Sequence, residues 1–163
     1  MSKFIFDRSY SDVERWKTLR NKGWANMSIS ERKEWLSETS PVPSAAKGMY
    51  THNDLNRVEN CVKEIADLFR QVGYKIPEMT IKTDWTYTDT ITKEDMVRYL
   101  SNIETIRAIS VVFSNTPKAP GINKKFDHFA ANDIEKILSD KFNIANNTIS
   151  AWNPTGEMIV GEV

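Results

Sequence analysis

The stretch YTHNDLNRVENCVKEIADLFRQVGY, residues 50–74, limits what this chain can fold into more than any other. Leu55, Val58, Val62, Ile65, Ala66, Phe69 and Val72 recur at steps of three and four, which puts them on one stripe of an α-helix. Asp54, Arg57, Glu59, Lys63, Glu64 and Arg70 are left mostly for the other side. Thr51 or Asn53 can cap the start, and Gly73 stands where helices commonly end in a left-handed residue. Such a stripe must be covered. The spacing of Met96, Tyr99, Leu100, Ile103, Ile106 and Ile109 predicts a second long helix, opened by Thr92 with Asp95 three positions later. The two are expected to pack antiparallel as the body of the fold.

Shorter elements flank this pair. Ser11 with Glu14 and Ser28 with Glu31 are capping-box pairs. The first opens a helix with Val13, Trp16 and Leu19, closed by Gly23; the second opens a helix with Trp35 and Leu36 on its apolar face. Helices this short need something to pack on. Residues 39–48, TSPVPSAAKG, cannot continue a helix and read as a linker. The expected organisation is an N-terminal helical docking arm over residues 1–38, a linker over 39–48 and a helical body over 49–163. Within the body, Met79, Ile81, Thr83, Trp85 and Tyr87 alternate with polar residues, the period of a half-buried strand or of an extended loop laid across helices. Asn132 can cap a shorter helix carrying Ile134, Ile137, Leu138 and Phe142. Asn153-Pro154-Thr155-Gly156, flanked by Ile149, Trp152, Met158 and Val160, predicts a small C-terminal β-hairpin. The fold class is therefore mainly α, with that hairpin as its one β feature.

Composition narrows function. Lys plus Arg equals Asp plus Glu at 22 each, which argues against a chain whose main task is gripping phosphate backbones. The single cysteine, Cys61, falls beside the apolar stripe and reads as a packed residue. No apolar run suggests a signal peptide at MSKFIFDRSY or a membrane span anywhere. His52 and His128 lack a second ligand at metal-binding spacing, and no phosphate-binding or nucleophile motif occurs, so no catalytic residue, cofactor or metal is expected. Asp84, Asp89 and Asp95 bracket Trp85 and Tyr87, a grouping open to glycan chemistry, but turn and cap roles account for Asp89 and Asp95. The aromatic residues say more. Trp16, Trp24 and Trp35 crowd a segment that could hardly bury all three alone, so they pack on the main helices or on a partner. Trp85 and Trp152 fit core packing better than an interface.

The succession FDRSYSDVERWKTLRNKGWANMSISERKEWL, KGMYTHNDLNRVENCVKEIADLF and DWTYTDTITKEDMVRYLSNIETIR resembles a module of phage and prophage structural proteins from Firmicutes. NDIEKILSDKF and AWNPTGEMIVGEV look like the same family's closing segment, so the likeness covers nearly the whole chain. Proteins of this kind are usually tail-fibre or baseplate components. The resemblance implies a non-enzymatic virion subunit that folds in the host cytoplasm and then assembles, as a homo-oligomer and with other virion proteins. Zero net charge without a basic stripe, and no long apolar run, leave no nucleic acid and no membrane among the expected partners. The candidate interface is Trp16, Trp24, Trp35, Asp54, Arg57, Trp85, Tyr87 and Trp152. A receptor- or glycan-binding module of the tail, using Trp85 and Tyr87, is the alternative.

Overall fold

The computed structural model describes residues 4–36 and 47–151 of the chain. Its helices are α1 (Tyr10–Lys22), α2 (Ile29–Leu36), α3 (His52–Gln71), α4 (Lys93–Ala108) and α5 (His128–Ala151), with a 3-10 turn at Trp24–Asn26. The mainly α class is as expected.

Local chemistry sets most of these boundaries. Thr51 opens α3 with its backbone N–H donating to Asp54, and Thr92 opens α4 with Asp95 in the same reciprocal arrangement. Ser28 and Glu31 do so for α2. The first helix starts earlier than expected, because Ser9 and Asp12 form its box instead of Ser11 and Glu14. At the end of α3, Gly73 takes φ 86° and the Tyr74 N–H returns to the Phe69 carbonyl, closing the last turn.

The stripe of α3 is covered as its pattern requires. Leu55, Val58, Val62, Ile65 and Phe69 are buried against Tyr99, Ile103 and Ile106 of α4 and Ile134, Ile137 and Leu138 of α5. Burying each of these large side chains stabilises the fold by about 1.5–3 kcal/mol. Cys61 lies in the same core.

Three expectations need correction. First, the body rests on three long helices, and α5 is the longest of them. It begins at His128, where Asp127 accepts from the Ala130 N–H, so Asn132 is not its cap. Second, the long helices do not pack antiparallel. Tyr50 and Phe126, each just ahead of its helix, meet with ring centroids 4.9 Å apart, and Arg57 pairs with Glu135 further along both. Ser110, just past α4, receives Lys141 in the second half of α5. Glu59 and Arg98 join the first halves of α3 and α4. All three helices therefore start at the same end. The reason is the length of the connections. A 16-residue α4 is about 24 Å long, a distance that fewer than about ten extended residues cover. The chain over 72–92 returns beside α3 in reverse, Lys82 at Glu59 and then Trp85 at Asn56. The chain over 109–127 returns likewise, with Thr116 on Asp140.

Third, the β elements are absent among the described residues. Residues 79–86 lie across the helices with no strand to pair with and end in a turn at 87–88. Trp85 is buried and Met79 and Ile81 are half-buried, but Thr83 and Tyr87 are exposed, so the alternation is followed only in part. The C-terminal hairpin needed Ile149 and its neighbours in a strand, whereas 148–151 are the last turn of α5. Its remaining residues, 152–163, lie outside the described residues, as do residues 37–46, the end of the arm and most of the linker.

The N-terminal segment has two parts. Residues 4–9 run into the main core, with Phe4 packed against Phe142 at 5.8 Å. The unit of α1, the 3-10 turn and α2 instead holds a small core of its own, Leu19 and Met27 with Trp35 against them. Gly48 crosses α1 so closely that a Cβ there would sit 2.1 Å from the Asp12 carbonyl oxygen. Only glycine fits that crossing.

Candidate interaction surfaces

Two charged clusters account for several of the residues singled out from sequence. Asp54 and Arg57 stand three apart on α3 and do pair, Nη2 to Oδ1 at 2.8 Å. They belong to a larger set. Arg57 also donates to both oxygens of Glu135, at 2.7 and 2.5 Å, and Arg8 reaches Asp54 at 2.8 Å and Glu135 at 3.4 Å. The Ile5 N–H gives Glu135 a further bond at 3.1 Å. Asn132, freed from any capping role, clamps the Arg8 backbone through both its N–H and its carbonyl. Glu135 is 0 % exposed. Burial alone would lower the Arg57 pKa, but Glu135 and then Asp54 outweigh it and hold the guanidinium above the ordinary arginine value. Two arginines and two carboxylates thus neutralise one another, which is what makes burying them tolerable. Their oxygens face inward, so Asp54 and Arg57 tie α3 to α5 and to the N-terminal segment.

Trp85 is held the same way. Its indole N–H donates to Glu59 at 3.1 Å, and Asn56 binds both its backbone N–H and its carbonyl. Arg98 grips Glu59 through two parallel bonds, at 2.7 and 2.8 Å, and the Lys82 N–H adds another. Trp85 is 4 % exposed and belongs to the core. Tyr87, two residues on, is 86 % exposed. Thr86 donates its N–H to Asp89, and that bond, with the bond from Lys82, lowers the Asp89 pKa. The aromatic-and-acid grouping is therefore divided between a buried anchor and a turn at the surface.

In the arm, Trp16 and Trp35 stack on each other, centroids 6.4 Å apart and planes 10° from parallel. Trp24 stays 48 % exposed with Arg32 over its ring. Ile29 and Leu36 are 76 % and 66 % exposed; Leu36 does not turn inward as its spacing suggested. Trp152 lies outside the described residues. Of the candidate interface, the structure brings Asp54 and Arg57 together, buries Trp85, pairs Trp16 with Trp35, and leaves Trp24 and Tyr87 presented to solvent.

Arg8, Glu59, Glu135 and Lys141 were missed in the sequence. Three of them carried a signal: Glu59, Glu135 and Lys141 occupy stripe positions of α3 and α5, four beyond Leu55, four beyond Ala131 and three beyond Leu138. A charge at such a position asks for a buried partner. Lys141 finds the Ser110 and Val111 carbonyls at the end of α4. Burial, and then Arg107, lower its pKa. Arg8 sits in an unpatterned stretch and carried none.

Among the described residues, no three His, Cys, Asp or Glu side chains are grouped to hold a metal ion, and no helix is long and apolar enough to cross a membrane. No family model matches the chain, and no curated protein or solved structure matches it.

Proposed function

We propose that this chain is a structural subunit of a bacteriophage virion, at the tail, baseplate or tail-fibre attachment, acting by protein–protein assembly and not by catalysis. The phage setting comes from the sequence resemblance. The mode of action is supported by one observation: the arm keeps Trp24, Ile29 and Leu36 in water while, among the described residues, its own core holds only Leu19 and Met27, with Trp35 against them. Large apolar side chains on a short unit with so little core are the composition of an interface centre. The bundle beneath is closed by its own buried charges and serves as the rigid base.

Purified chain and the variant Trp24→Ala/Ile29→Ser/Leu36→Ser are compared by light scattering across a concentration series. Self-association of the parent, lost in a variant of unchanged helicity, is the expected result. A parent that stays monomeric and is absent from the protein inventory of purified particles contradicts the reading.

A further inference from the structure

The molecule has a second surface that the assembly reading does not use. Because α3, α4 and α5 all start at one end, the segments leading into them converge there. Two clefts flank Phe126 and share Phe126 and Lys125 as a common wall. One, about 400 Å³, lies between α1, Tyr50 and the start of α5; the other, about 280 Å³, lies between the start of α4 and the loop at Pro120–Ile122. Their floors are apolar, with Val13 and Tyr50 in the first and Met96 and Leu100 in the second.

The charges around them are one-sided. Among the described residues, Arg8, Lys17, Lys47, Lys93, Lys124 and Lys125 line the two clefts, against Asp127 alone among the acids. In a chain with 22 cations and 22 anions this is a local excess of positive charge. Arg8 is neutralised by Asp54 and Glu135, Lys17 pairs with Glu14, and Lys47 pairs with Asp7. Asp127 is engaged at the start of α5. Lys93, Lys124 and Lys125 are exposed and have no carboxylate partner among the described residues. Three uncommitted ammonium groups therefore stand along an apolar floor broken into two compartments.

We infer that this paired cleft binds an acidic, extended peptide segment of another protein, its carboxylates on Lys93, Lys124 and Lys125 and its apolar side chains in the two compartments. Charge complementarity selects the sign of the partner, and the two successive apolar compartments select a chain over a single small anion. A nucleic acid would bring the same sign of charge, but its affinity comes from many phosphate contacts, whereas these clefts offer three free cations around apolar floors.

The test is fluorescence anisotropy with the intact protein and a short dye-labelled peptide alternating Glu with Leu. Its Lys-for-Glu counterpart and a labelled oligothymidylate are the comparison probes. The acidic peptide should bind and the basic one should not. Lys93→Glu/Lys124→Glu/Lys125→Glu should weaken binding roughly tenfold or more. Lys33→Glu/Lys63→Glu/Lys75→Glu, an equal charge change at exposed positions elsewhere, should leave binding within about twofold. Equal losses in both triple variants, no binding of the acidic peptide, or tighter binding of the oligothymidylate would each overturn the inference. Circular dichroism of both variants separates lost binding from lost fold. None of these outcomes depends on Trp24, Ile29 or Leu36, the residues that carry the assembly reading, so the two can fail separately.

Discussion

The bundle and the arm are both rich in ion pairs, yet the pairs do different work. In the bundle, Glu135 and Glu59 are buried and every bond they accept ties one element to another. In the arm, Arg15–Glu34, Lys22–Glu31 and Lys17–Glu14 lie at or near the surface, over a core of two buried residues among those described. Buried pairs resist loss of a partner because the remaining charge is stranded in a medium that solvates it poorly. Exposed pairs are replaced by water at little cost. The bundle is thus built to keep one arrangement, while the contacts of the arm can be given up at little cost.

The sharpest way to break this contrast is Glu135→Ala. It leaves Arg8 and Arg57 to share Asp54, and the expected loss is about 3–5 kcal/mol in urea unfolding. Glu59→Ala comes next, at about 2–3 kcal/mol, since Arg98 is partly exposed and can turn to water. A red shift in tryptophan emission as Trp85 loses its anchor would identify the cause.

Alkaline pH acts on the bundle through two buried tyrosines. Tyr50 and Tyr99 share a hydrogen bond at 2.6 Å in the core. Burial raises both pKa values, with Glu135 adding for Tyr50 and Tyr50 adding for Tyr99. In the unfolded chain they ionise near the ordinary value of about 10. The stabilisation is therefore complete below that pH and falls as pH rises toward the folded-state values. Tyr99→Phe should be less stable at neutral pH and lose stability less steeply above about pH 10.

The smallest effect belongs to the arm. Glu34→Ala should cost less than about 1 kcal/mol and leave the bundle's unfolding transition in place. If it equals Glu135→Ala in effect, the two regions are one cooperative unit and the contrast is lost.

The helical class was legible because apolar spacing is a local property. Residues 50–74 and 93–109 showed their periods, and Thr51, Ser28 and Thr92 marked their starts. Direction was not legible. An antiparallel pair is the default for helices joined by short loops, and the returning segment over 72–92 has the alternation of a strand without being one. Its Trp85 reads as aromatic beside acids, while its partners Asn56, Glu59 and Arg98 come from two other elements. Likewise Asp54 and Arg57 could be paired from their spacing, but burial came from Arg8 and Glu135, 46 and 78 residues away. The start of α5 was misplaced because Asn132, with Glu135 three positions on, has the spacing of a capping pair, whereas Asn132 binds the Arg8 backbone and Glu135 binds Arg57. Which of the three arm tryptophans would stay exposed was not legible, since Trp16 and Trp35 cover each other by stacking and only the fold leaves Trp24 at the surface.

The central claim, that a weakly held arm rides on a bundle locked by buried charge, is tested most directly by native-state hydrogen exchange. Amides in α3, α4 and α5 should exchange only through global unfolding, and those in α1 and α2 far faster, by local opening. Protection over residues 24–36 should rise with protein concentration. Equal protection in arm and bundle, unchanged by concentration, would contradict the account.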